Sequence, residues 1–234
     1  MCFSATASFS AAALLVPAGI YCAKKASSLA KPYWVIGLLP LLFGVQQALE
    51  GVVWLALESG DPQRIHVSAL GFMAFSHLFW LFWIPVASYV LEPRGIKKTV
   101  FLSLAVFGAL YGASMYLPLL VQEHWLTVEL VQHSISYEAK LIYDGFLPRI
   151  AVRALYAVIV LGALLFSSDR HIRTFGILIA ISVAVATVFF GYAFISVWCY
   201  FAAALSLYIF YLMLRITREQ KSRTEVNPIP RTQG

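Results

Sequence analysis

Charged residues are scarce in this sequence. Of 234 residues only 12% are Asp, Glu, Lys or Arg, about half the share found in soluble domains. A soluble fold has to cover its surface with polar groups, and 17 basic plus 11 acidic side chains leave most of that surface apolar. Cysteine is scarcer still. Cys2, Cys22 and Cys199 are odd in number and fit no zinc-finger or Cys-x-x-Cys spacing, which excludes a disulfide framework. No His-x-x-x-His pair exists to anchor zinc in the manner of an intramembrane hydrolase, and no lysine lies in the last apolar stretch to carry a retinal Schiff base. No charged region precedes the first apolar run, so that run reads as a retained helix and not as a cleaved signal peptide.

What the chain does have is hydrophobic length. Hydrophobic residues make up 61% of it, and its mean hydropathy is +0.80. The apolar runs are apolar on every face, whereas a membrane barrel needs strict alternation, so the expected fold is all-α and polytopic. Seven spans are expected over about residues 5–22, 33–57, 66–91, 98–121, 149–166, 172–190 and 194–214. A polar outer loop is expected over 122–148, and a polar, disordered tail over 215–234.

The basic residues then orient the bundle. Thirteen of them fall in alternate loops and the tail: Lys24, Lys25, Lys31, Arg94, Lys97, Lys98, Arg170, Arg173, Arg215, Arg218, Lys221, Arg223 and Arg231. Four lie on the other side: Arg64, Lys140, Arg149 and Arg153. The positive-inside rule places the thirteen in the cytoplasm, with the N-terminus outside and the C-terminus inside. The net charge of +6 is thereby accounted for by insertion and by contact with the lipid bilayer, and no nucleic-acid partner is expected.

Against this apolar background a few side chains carry chemistry. Glu50 is the one acid well inside a span, and an intramembrane acid normally faces the bundle interior and marks a ligand site or proton path. Gln46 and Gln47, four and three residues earlier, share its helix face, and Trp54 continues the stripe outward. The blander alternative is a protonated Glu50 that joins helices by hydrogen bonding. His77 lies among Phe75, Phe79, Trp80, Phe82 and Trp83 on the next helix at comparable depth, so a Glu50–His77 pair is expected. Ser196 and Cys199 lie near the outer end of the last span, on the side from which Cys2 approaches. Cys2, Glu50, His77 and Cys199 are therefore the candidate set for a zinc or copper ion. Arg149 and Arg153, one turn apart, are positioned to pair with the acids of the 122–148 segment or with an anionic ligand. That segment holds Glu123, His124, Glu129, His133, Tyr137, Glu138 and Asp144.

Four segments together resemble one family. MCFSATASF at 1–9, PLLFGVQQALEGVVWL at 40–55, SHLFW at 76–80 and FISVWCYFAA at 194–203 look like the pattern of small bacterial integral membrane proteins of unknown function. The resemblance implies a bacterial chain that begins at Met1 and sits as a multi-pass protein in the inner membrane. It supplies no activity. Cys2, Gln46, Gln47, Glu50, His77, Trp198 and Cys199 fall inside its signature segments. The preferred functional expectation is an outward-facing intramembrane pocket that binds a metal ion or small ligand, formed by Gln46, Gln47, Glu50, Trp54, His77, Arg153 and Trp198 with the two cysteines. An enzyme acting on a lipophilic substrate through a Cys/His or Glu/His pair, and a small transporter or sensor, are the alternatives.

Overall fold

A computed structural model of the chain describes residues 4–29 and 32–226, with side chains described as far as Glu219. The structure is helical apart from one hairpin, and six stretches among the described residues are long and apolar enough to cross a membrane. The first is α1 (Ala5–Ala26), begun by Ser4, whose hydroxyl accepts from the Ala7 backbone NH at 3.2 Å. The second joins the short α2 (Trp34–Gly37) to α3 (Leu39–Ser59). Pro40 at the start of α3 explains the break at Leu38, since a proline nitrogen cannot continue the helical hydrogen bonding. Gly60, at φ 65°, ends α3.

The third stretch combines α4 (Pro62–Met73), a π-helical segment (Ala74–Phe79) and α5 (Trp80–Leu91). It starts earlier than the hydropathy suggested because Asp61 caps it, accepting from the backbone NH groups of Gln63 and Arg64, with Pro62 in the first turn. The fourth is α6 (Ile96–Val121), the fifth α8 (Arg170–Phe189), and the sixth contains α9 (Phe194–Leu205) and most of α10 (Leu207–Val226). Between α6 and α8 stands α7 (Arg149–Leu165), whose 17 residues span about 26 Å.

Two expectations are corrected. The 122–148 segment contains a β-hairpin, β1 (Leu126–Val131) paired antiparallel with β2 (Ser134–Ala139) in the register Leu126↔Ala139 to Val131↔Ser134. Gln132 and His133 close it with φ 48° and 60°, the positive pair that a two-residue type I′ turn requires. The usual Asn-Gly signal is missing there, and the inner strand buries Ser134 and Ser136 beside its apolar residues, so it shows no clean alternation. Of the tail expected over 215–234, residues 227–234 lie outside the described residues, and the chain from Arg215 to Val226 is helical. It carries helix-forming residues and an Arg215–Glu219 pair at 2.8 Å, one turn apart.

Small residues let the helices approach. A side chain at Gly19 would run into the Leu41 backbone, and one at Gly44 into Val16, so α1 and α3 pack backbone to backbone. Gly108 and Gly112 of α6 do the same against Leu81 and against the His77–Leu78 backbone of the π segment. At the end opposite the hairpin, α7 and α8 converge. Gly176 lies against Leu164, and Glu92 accepts from both the backbone NH and the hydroxyl of Ser168 at 2.9 and 2.5 Å. Tyr33 donates there to Asp169, the residue whose carboxylate also caps α8. At the hairpin end β2 packs in among the helices. Ser134, Ile135, Ser136, Tyr137 and Ala139 of that strand are buried, and Ser136 donates to the Tyr192 carbonyl at 3.1 Å.

Candidate functional site

The polar stripe read from α3 is internal. Gln46, Gln47, Glu50 and Trp54 are all buried, as one helix face turned to the bundle requires. Glu50 accepts from Gln47 Nε2 at 3.1 Å within α3 and from Ser196 Oγ at 2.5 Å across to α9, so its carboxyl joins two segments 146 residues apart. Gln46 Oε1 accepts from Trp80 Nε1 at 2.8 Å, and Trp80 stacks on Phe43 with ring centroids 4.1 Å apart. These contacts knit α3 to α5 and α9.

His77 goes elsewhere. Among the described residues no hydrogen bond joins it to Glu50; its Nδ1 meets the hydroxyl of its neighbour Ser76 at 3.1 Å. The π turn supplies the reason. Its larger number of residues per turn opens the angle between residues three apart, so Trp80 reaches α3 while His77 faces a cavity on the α7 side. Cys199 lines that same cavity, yet no hydrogen bond links its thiol to His77 among the described residues. Among those residues no group of three or more His, Cys, Asp and Glu side chains is placed to hold a metal ion. Glu50, His77 and Cys199 therefore form no such group by themselves, and Cys2 lies outside the described residues.

The cavity encloses about 270 Å³ toward the hairpin end. Its walls come from the π segment, β2 and helices α6 to α9, and they are mainly apolar. Polar groups converge on it from several elements. Tyr137 enters from β2, buried and stacked on Phe72 at 4.8 Å, and Trp198 enters from α9. Among the described residues the Tyr137 hydroxyl and Trp198 Nε1 are buried atoms without a hydrogen-bond partner, as are Gln46 Nε2, Gln47 Oε1 and Trp54 Nε1 on α3. Each such atom costs about 1–3 kcal/mol when left unpaired. Burial raises the Tyr137 phenol far above its ordinary range, reinforced by the nearby Glu50 and Cys199, so it stays a neutral donor.

The two arginines on α7 differ sharply. Arg149 is fully engaged, donating to Asp144 Oδ2 and to the Ala139 carbonyl, each at 2.7 Å, which braces the hairpin against α7. Arg153 lines the cavity, lies 5.4 Å over the Phe194 ring, and pairs with no carboxylate among the described residues. The exposed wall residues are Arg149, Ile150, Arg153 and Ala154 on α7 and Thr187 on α8, so the cavity opens between these two helices.

Of the sequence candidates, His77, Arg153, Trp198 and Cys199 meet at this cavity, whereas Gln46, Gln47, Glu50 and Trp54 form the adjoining α3 network. Tyr137 and Ser196 carry more weight than their sequence positions suggested. Tyr137 lay in a segment read as loop, and no spacing rule pairs Ser196 with a carboxyl on α3. No curated protein and no solved structure matches the chain. The family model does: it covers residues 1–225, nearly the whole of the helical bundle with its hairpin, and the chain belongs to the family of unknown function DUF6629.

Proposed function

We propose that this chain is a seven-span inner-membrane protein that binds a small organic ligand in the cavity between α7, α8 and α9. The observation that carries the reading is the cavity of about 270 Å³, whose mainly apolar walls bring His77, Arg153 and Cys199 together from three different elements. In this reading α7 is the additional span: its roughly 26 Å falls slightly short of the ~30 Å hydrocarbon thickness, and Arg149 and Arg153 anchor its end at the interface. The thirteen-to-four distribution of basic residues favours an external N-terminus and hairpin and a cytoplasmic α10 end. The cavity then faces the outer half of the bilayer.

An organic ligand suits the site better than a metal ion. The wall is mainly apolar with the Arg153 guanidinium at its rim, and its His77 and Cys199 belong to no group of three or more metal-ligating side chains among the described residues. Mass spectrometry of protein purified in mild detergent tests the proposal. Wild type should carry an organic molecule near one per chain, and Ala157→Trp, which fills the cavity from α7, should lose it without losing the fold. Equal occupancy in both would refute it.

A further inference from the structure

We infer that the end of the bundle opposite the hairpin binds one anionic phospholipid where the α5–α6 and α7–α8 turns are clasped together, with its phosphate on Arg94, Lys97 and Arg170 and its chains against Ile96 and Phe166. The site is separate from the cavity and does not depend on what the cavity holds.

Charge is the first reason. The two turns and the helix starts that follow them carry Arg94, Lys97, Lys98, Arg170 and Arg173 against two acids, Glu92 and Asp169. Both acids are buried and engaged: Glu92 holds the backbone NH and hydroxyl of Ser168, and Asp169 caps α8 and accepts from Tyr33. None of the five cations forms an ion pair among the described residues, and Arg94, Lys97, Arg170 and Arg173 are exposed. The hairpin end treats its basic residues differently. There Arg64 pairs with Asp61 at 3.1 Å and Arg149 with Asp144 at 2.7 Å. Insertion requires basic residues on one side of the membrane, but not their collection, unpaired, around a single contact between two turns.

Rigidity is the second. The Glu92–Ser168 bonds tie the turns together, and one helical turn earlier Ser88 of α5 donates to the Ala163 carbonyl of α7 at 2.8 Å. On this base Lys97 donates to Ser168 Oγ at 3.3 Å, while Lys98 donates to the Glu92 carbonyl at 3.2 Å and lies 4.9 Å over the Tyr89 ring. Each ammonium group uses one of its donors in the clasp and keeps the others for phosphate oxygens. Side chains already held in place lose less freedom when a ligand arrives.

The third is the apolar border. Ile96, 85% exposed, stands between Arg94 and Lys97 in the chain, and Phe166, 72% exposed, stands two residues before Ser168. Large apolar side chains beside unpaired cations suit a molecule that joins a phosphate to hydrocarbon chains. A soluble anion would leave both without a partner.

Native mass spectrometry of the full chain in mild detergent, titrated with phosphatidylglycerol, phosphatidylcholine or inorganic phosphate, tests the site. One phosphatidylglycerol should bind at least about tenfold more tightly than phosphatidylcholine with the same chains. The double variant Lys97→Gln/Arg170→Gln should lose about tenfold or more of that affinity, whereas Lys24→Gln/Lys25→Gln, which removes equal charge from the end of α1, should lose less than about threefold. Lys97 and Arg170 are exposed, so the fold should survive, and Lys97→Arg/Arg170→Lys should keep the preference. Equal affinity for the two lipids, or equal losses in the two charge-removing variants, overturns a defined site at the clasp. Inorganic phosphate displacing the lipid at equal concentration overturns the lipid as its occupant. Detergent exposes the clasp whichever leaflet it occupies, so a failure here leaves the orientation of the bundle untouched.

Discussion

Replacing Glu50 by leucine would remove the acceptor that holds Gln47 Nε2 and Ser196 Oγ, and both donors would stay buried without it. In a water-soluble protein each orphaned donor costs about 1–3 kcal/mol, so the pair would total roughly 2–6. Membrane hydrogen bonds measure less, averaging about 0.6 and reaching about 1.7 kcal/mol, because the unfolded chain in lipid also finds partners. The lower scale governs here, and Glu50→Leu should destabilise by roughly 1–3 kcal/mol. Glu50→Gln behaves differently. Its carbonyl oxygen accepts from Gln47 and its amide donates to a rotated Ser196 hydroxyl, so its cost should stay below about 0.5 kcal/mol. Reversible unfolding by sodium dodecyl sulfate in mixed micelles, followed by tryptophan fluorescence, reads both variants. A double-mutant cycle of Glu50→Leu with Ser196→Ala isolates the α3–α9 bond and should give a coupling of about 0.6–1.7 kcal/mol. A coupling of zero, or a Glu50→Leu variant as stable as wild type, would refute the view that this carboxyl joins the two helices.

Other outcomes follow from the packing. Gly112→Leu should unfold or strongly destabilise the bundle, by more than the roughly 1–3 kcal/mol usual for overpacking, because the added atoms meet the backbone of the π segment; normal expression and stability in detergent would count against that contact. Asp169→Ala should cost about 0.5–2 kcal/mol through the lost α8 cap, with a further loss from the Tyr33 bond that Tyr33→Phe can measure separately in the same assay. Asp144→Asn should change stability by less than about 1 kcal/mol, since the Arg149–Asp144 pair is partly exposed, yet it should raise hydrogen exchange in the hairpin that Arg149 braces. Reporter fusions should place the N-terminus outside and residue Arg223 in the cytoplasm, and finding both on one side would contradict the seven-span arrangement.

Much of this molecule was legible without coordinates, for a definite reason. Hydrocarbon imposes a length and an all-round apolarity on each span, and both are one-dimensional properties that survive in a linear text. The stripe of Gln46, Gln47, Glu50 and Trp54 was likewise visible, because residues three and four apart must share a helix face and polar groups in lipid turn inward. Partnership between helices was beyond that reach. Depth arguments brought Glu50 and His77 to the same level, but a π turn at 74–79 gave His77 to the cavity and left Glu50 to Ser196. Nothing in the local sequence distinguishes that turn from an ordinary one, and the residue packed against its backbone, Gly112, lies on a different helix. The hairpin was hidden because its turn uses Gln132 and His133 at positive φ and its inner strand is buried by helices distant in sequence. The cavity belongs to the same class of fact. Its walls come from the π segment, β2 and helices α6 to α9, elements far apart in the sequence, and no single segment encodes it.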